Sequence, residues 1–127
     1  MITVDDSDPT PAFEQIRAQL AGLIRVGSLD SDQRLPSVRQ LAKDLGIAPG
    51  TVARAYAQLE AEGLVDTSRG GGTRVRMHVE NHPDVLDAAL DYVALARDRH
   101  LGLGETLLAV RAAWASPAPP RPPTPGS

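Results

Sequence analysis

The side chains with chemistry to offer are concentrated between positions 34 and 79. Arg34, Arg39, Lys43, Arg54, Arg69, Arg74 and Arg76 stand there against Asp44, Glu60, Glu62 and Asp66, a net charge of +3. The flanks have the opposite sign, −4 over residues 1–33 and −2 over residues 80–127, and the whole chain carries −3. Thr51 and Gln58 add a hydroxyl and an amide, and two bare stretches, Pro49-Gly50 and Gly70-Gly71-Gly72-Thr73, lie between the arginines. Arginine and glutamine have the donors and the reach to address phosphates and base edges. Bare backbone beside them lets main-chain amides come close to an anion. The set is suited to gripping a negatively charged polymer.

Catalytic or metal chemistry finds little material. The chain has no cysteine, which removes disulfides and thiolate metal sites. His78, His82 and His100 fit no helical ligand pair. Asp84, Asp87 and Asp91 share one face of a helix that follows Pro83, where acids favour the helix dipole. No nucleophile elbow, phosphate loop or pair of catalytic carboxylates occurs. The expectation is a protein that is not an enzyme, with no cofactor and no metal. No apolar run approaches the roughly 20 residues of a membrane span. The start, "MITVDDSDPTP", carries acids where a signal peptide needs a basic region. A cytoplasmic protein with no membrane partner follows as the expectation.

The elements that must position these residues can be traced by period. Ile2–Val4 has the composition of a short strand. From Pro11 to Val26, Phe13, Ile16, Leu20, Leu23 and Ile24 recur at helical spacing, and Gly27 ends the helix. "SLDSDQRLP" reads as a polar loop. Ser37, with Gln40 three residues on, forms a capping-box pattern, and Val38, Leu41, Ala42 and Leu45 give the second helix its apolar stripe. Gly46 closes that helix and Pro49 opens a third, with Val52, Ala55, Tyr56 and Leu59 inward and Gly63 as its stop. Leu64–Thr67 and Thr73–Val79 alternate apolar with polar around three glycines, which predicts a β-hairpin with Val75, Met77 and Val79 on one side and Arg74, Arg76 and His78 on the other.

Three helices followed by a hairpin make a winged helix-turn-helix, whose third helix has the width to enter a major groove roughly 12 Å across. The fold class expected is mainly α with a small β-hairpin wing, followed by a C-terminal two-helix segment. The candidate DNA-binding residues are Ser37, Arg39, Pro49, Gly50, Thr51, Arg54, Gln58, Arg69, Gly70, Gly71, Thr73 and Arg74. Arg54 and Gln58 are the side chains with reach to base edges, and Arg39 points to the same side.

At this point "LPSVRQLAKDLGIAPGTVARAYAQLEAEGLVDTSRGGGTRV" resembles the DNA-binding domain of GntR-family transcription regulators. The shared pattern is Leu-Pro-Ser-x-Arg opening the second helix, Thr51-Val52 early in the third, "LEAEGL" at its end and a glycine-rich wing closing in "GTRV". The opening of the third helix is similar to the YtrA-like branch, whose members carry only a short two-helix tail. The resemblance implies that Arg39 reaches DNA from the second helix, that Thr51 contacts a phosphate and that Gly70 approaches the minor groove. Ala48, Gly50 and Ala53 depart from the pattern by lacking polar groups. Base reading is therefore expected to shift to Arg39, Arg54 and the wing.

The organisation expected is a DNA-binding domain over 1–79, a dimerisation segment over 80–115 and a Pro-rich tail over 116–127. Val85, Leu86, Ala89, Tyr92 and Val93 on one predicted helix, and Leu103, Leu107, Val110 and Trp114 on the next, form apolar stripes. The resemblance favours a homodimer through them. A two-fold dimer reading two half-sites of a double-stranded, palindromic DNA operator gains avidity. The function expected is a sequence-specific transcription regulator, a repressor. Two alternatives remain open: a protein-interaction winged helix, and a small-molecule-responsive regulator with an effector cleft in the tail helices. Nothing in the residues chooses an effector.

Overall fold

In the computed structural model, which describes residues 2–68, 70–77 and 79–117, five helices and one hairpin follow in the order α1 (Ala12–Arg25), α2 (Val38–Leu45), α3 (Pro49–Ala61), β1 (Val65–Ser68), β2 (Gly72–Val75), α4 (Pro83–Asp98) and α5 (Leu103–Ala115). The chain divides into two compact units, Met1–Asp87 and Ala88–Ser127.

In the first unit the apolar period of α1 buries Ile16, Leu20 and Ile24 against Val52, Ala55, Tyr56 and Leu59 of α3, with Leu41 and Ala42 of α2 closing the cluster. The cap of α2 forms only half of the predicted box. Ser37 Oγ accepts the Gln40 amide at 3.1 Å. The Gln40 side chain does not return to Ser37. It donates to Asp44 Oδ1 at 2.7 Å, one helical turn ahead, where a surface i,i+4 pair competes with the cap. Gly46 takes a left-handed φ of 67° and turns the chain into α3. Pro49 is the first residue of α3, and Ala48 caps it without a side-chain bond. Arg17 joins the two ends of this packing by pairing with Glu14 on its own helix and with Glu62 after α3 at 3.1 Å.

Three expectations are corrected. Ile2–Val4 forms no strand. Its backbone is instead held by side chains of α1, with the Thr3 amide donating to Gln19 Oε1 at 3.0 Å and the Asp5 amide to Gln15 Oε1 at 2.8 Å. "SLDSDQRLP" is more than a polar loop. Leu29 and Leu35 are buried in the core. The Asp32 amide bonds the Val75 carbonyl at 2.9 Å, the Val75 amide bonds Gln33 at 2.9 Å, and the Leu35 amide bonds Thr73 at 2.8 Å. The connection therefore lines β2 on the edge that β1 leaves free. The hairpin is also shorter than its alternation predicted. β1 and β2 pair antiparallel from Val65↔Val75 to Ser68↔Gly72, and Val65 and Val75 are fully buried. Beyond Val75 one further bond, from the Arg76 amide to the Leu64 carbonyl at 2.9 Å, closes the hairpin, and Met77 lies in solvent at 56% exposure instead of beside Val75. His78 falls outside the described residues.

α4 begins in the first unit, where the His82 amide donates to the Arg25 carbonyl at 2.6 Å. In the second unit Ala96 of α4 and Thr106 of α5 are both buried. The Tyr92 hydroxyl donates to the Thr106 carbonyl at 2.7 Å. His100, at a positive φ of 60°, makes the turn between them, and the Gly102 amide meets Glu105 Oε2 at 3.2 Å at the start of α5. Among the described residues no helix is long and apolar enough to cross a membrane. The expected tail, 116–127, lies outside the described residues beyond position 117.

Candidate nucleic-acid interface

The expected contact residues sit at three places in the first unit: the start of α2, the exposed side of α3 and the wing. At α2, Arg39 is exposed in the first turn and takes part in no ion pair among the described residues. The helix start beneath it is fixed from α3. Tyr56, only 4% exposed, donates its hydroxyl to the Pro36 carbonyl at 2.7 Å, directly before the Ser37 cap. Burial pushes the Tyr56 phenol up to about 12, so it is a neutral donor at any ordinary pH. One buried residue of α3 thus ties down the start of α2.

At α3, Pro49 and Gly50 are exposed and Thr51 is half-buried. Pro49 has no amide hydrogen, and the Thr51 amide turns back to the Ala48 carbonyl at 3.0 Å. The bare helix start therefore offers the Gly50 amide and the Thr51 hydroxyl, a sparser anion cradle than a helix start with all its amides free. Gln58 lies two turns on and is half-buried. Arg54 is exposed and stacks on a ring of α1. Its guanidinium lies 3.8 Å from the centroid of the Phe13 ring on α1. It is therefore held toward the α1 side of α3 by a cation–π contact.

At the wing, Gly70 and Gly72 take positive φ values of 76° and 70°, and the turn is closed by the Gly71 amide on Ser68 at 3.3 Å. Gly70 is exposed and Gly71 half-buried. Arg69 falls outside the described residues. Thr73, in the expected contact set, is 9% exposed, and its hydroxyl is 3.1 Å from that of Thr67. That contact ties it to β1 across the hairpin. Arg74 is half-buried and donates through Nη1 to the Asp32 carbonyl at 3.1 Å. Arg76 pairs with Asp66 at 2.8 Å, and that carboxylate raises the Arg76 pKa.

The structure also brings forward a residue absent from the candidate set. Arg34, on the connection between α1 and α2, forms an antiparallel bridge with Arg74 and lies over Gly72. The sequence signal was the Arg-Leu-Pro run itself, a cation just ahead of the helix start.

Residues 12–75 match the family of bacterial regulatory proteins, gntR family. The chain belongs to the GntR family. It is 40% identical over 96 residues to the HTH-type transcriptional regulator Rv1152 of Mycobacterium tuberculosis, covering 76% of this chain and 79% of that one. It is 43% identical over 75 residues to the HTH-type transcriptional repressor YtrA of Bacillus subtilis, covering 59% of this chain and 58% of that one. Among solved structures it is similar to YtrA from Sulfolobus acidocaldarius, a GntR-family transcription factor, with 34% identity, a TM-score of 0.57 and coverage of 75% of this chain and 97% of that one. The DNA-binding domain of AraR, solved in complex with operator ORX1, is 26% identical, with a TM-score of 0.53 and coverage of 58% and 95%. The GntR chain described above is thus a DNA-binding transcription regulator and not an enzyme. Its fold is the winged helix of that family with two further helices.

The tail helices leave their apolar stripes largely open. Leu103 is 74% exposed and Trp114 is 89% exposed, and Val85, Leu107 and Val110 are about half exposed. Ala89 is exposed, while Leu86, Tyr92 and Val93 are half-buried. An open depression of about 540 Å³ is lined by Tyr92, Ala109, Val110, Ala113 and Trp114. Among the described residues, no three His, Asp or Glu side chains gather as a metal site.

Proposed function

We propose that the protein is a homodimeric repressor in the cytoplasm that binds a palindromic DNA operator. The observation that carries this reading is the open apolar face of α4 and α5, with Trp114 89% exposed at one end. A monomer holding a tryptophan and several leucines in water loses the free energy that a second copy recovers by covering them, about 25 cal/mol per Å² buried. A two-fold partner places two winged helices for two half-sites, and the operator then mirrors the protein's symmetry. The repressor name of the Bacillus relative and the operator-bound AraR domain support the same reading.

Within each half-site, Arg39 reads a base edge, Thr51 and Gly50 seat a phosphate, and Gln58 extends the contact along α3. Ser37 fixes the start of α2 as its cap. Gly70, Gly71 and Arg74 approach the adjoining backbone or minor groove. Arg54 contributes from the flank where Phe13 holds it. The depression at Trp114 is apolar, and its one hydroxyl, on Tyr92, is already committed to Thr106. That favours a partner subunit over a polar effector as its occupant.

The test is selection of bound sequences from random DNA, combined with light scattering of the free protein. An inverted repeat and a dimer mass at micromolar concentration are the expected results. A monomer mass, or a single asymmetric half-site, refutes the dimeric reading.

A further inference from the structure

Arg34 and Arg74 stand directly opposite each other across an antiparallel bridge. Opposed residues in such a pair project to the same face, and like charges placed there repel. Gly72 shares that face with Arg74, two residues apart, while Thr73 and Val75 alternate to the buried side. Arg34 uses the room glycine leaves. A β-carbon at Gly72 would stand 3.1 Å from Arg34 Nε and 3.3 Å from Nη2. Arg74 donates to the Asp32 carbonyl, which leaves its charge uncompensated. The acid on this face is Asp66, the β1 partner of Arg74, and its Oδ1 is taken by Arg76 at 2.8 and 3.2 Å. Asp32 enters no ion pair among the described residues, and neither Arg34 nor Arg74 is paired with a carboxylate there.

Two guanidinium groups on one face of a short sheet, without a counter-charge, suit a ligand that brings negative charge to them. The adjoining surface at Gly70–Gly72 has no side chains to keep a polymer away. We infer that Arg34 and Arg74 together seat a backbone phosphate of DNA. Arg34 thereby extends the protein–DNA interface onto the connection between α1 and α2. Gly72 is then needed at its position for what it leaves empty as well as for its positive φ. The inference rests on the reading of the protein as a DNA-binding regulator.

The test compares the unaltered protein with Arg34→Gln, Arg74→Gln and the Arg34→Gln/Arg74→Gln double variant. Each is titrated by fluorescence anisotropy against the selected operator duplex and a random duplex over a salt series, with Tm measured alongside. Arg34→Gln is expected to weaken binding to both duplexes by roughly 5- to 10-fold, to lower the salt slope by about 0.9, and to leave the ratio between duplexes unchanged. Its Tm stays level or rises, because a like-charge pair has been relieved. The double variant loses less than the product of the single losses, because one phosphate is shared. Binding equal to wild type overturns the inference. A changed operator preference makes Arg34 a base reader and also overturns it, and a marked fall in Tm makes the residue structural. Failure of the unaltered protein to bind either duplex refutes the DNA-binding reading itself, an outcome separate from all of these.

Discussion

Tyr56→Phe removes one oxygen and tests whether α2 and α3 are tied through it. The ring is retained, so no cavity opens and the apolar burial of α3 stays as it is. What is lost is the 2.7 Å bond from the Tyr56 hydroxyl to the Pro36 carbonyl. A net intramolecular hydrogen bond contributes about 0.5–1.5 kcal/mol, and an acceptor left buried without a partner adds to the loss. Pro36 is exposed, so water takes up its carbonyl in the variant and the second contribution is small. The expected destabilisation is therefore about 1 kcal/mol at neutral pH, a fall in Tm of roughly 4–8 °C for a domain of this size. The pH dependence is a sharper discriminator. Burial raises the phenol from 10.0 to about 12. A raised pKa means that the neutral form is favoured in the folded state. The associated stability is complete below pH 10.0 and is lost as pH rises toward 12. The variant has no phenol at this position, so the difference between the two proteins should narrow across that window while every other titrating group cancels. Urea unfolding at pH 7, 10 and 11 measures both effects. Equal stability at pH 7, or a gap that stays constant through pH 11, refutes the role assigned to Tyr56.

Three further substitutions test separate parts of the account. Arg39→Ala should weaken operator binding by about 1–3 kcal/mol with Tm unchanged, and unaltered affinity in an anisotropy titration removes it as a base reader. Phe13→Leu and Arg54→Ala, combined in a double-mutant cycle on unfolding free energy, should give a coupling of about 0.5–1 kcal/mol, and additive losses mean that the stack is not maintained in solution. Trp114→Asp should raise the dimer dissociation constant by roughly a thousandfold, since each of two copies loses about 2 kcal/mol of aromatic burial, and an unchanged mass by sedimentation equilibrium places the interface elsewhere.

What was legible in the sequence was local. The third-helix start at Pro49, the turn at Gly46 and the inward stripes of α1, α2 and α3 depend on neighbours within about one helical turn, and the structure places all of them as the period predicts. The family pattern is built from such local pieces, which is why so much of the fold could be read. Some corrected details were also within reach. Leu29 and Leu35 in a supposedly polar loop signalled burial, and Asp44 stood four residues from Gln40 as a rival to the capping box.

The site itself was harder because its decisive relations are long-range. A helical wheel places Arg54 on an exposed face but carries no information that a ring from α1 lies 3.8 Å beneath its guanidinium. Alternation in the hairpin gives Thr73 no partner until Thr67 is in register across from it. Arg34 meets Arg74 only because the connection after α1 lines the free edge of β2, and nothing in either local segment encodes that pairing. Net charge shows the same limit. Counting makes the segment from 34 to 79 basic, yet Arg76 is neutralised locally by Asp66, while Arg39, Arg34 and Arg74 have no acidic partner among the described residues. The uncompensated charge that matters to an anionic partner is therefore smaller than the count of arginines. It is distributed differently too, gathered at the start of α2 and along one face of the wing, with the bare start of α3 between them as the surface that positions the helix.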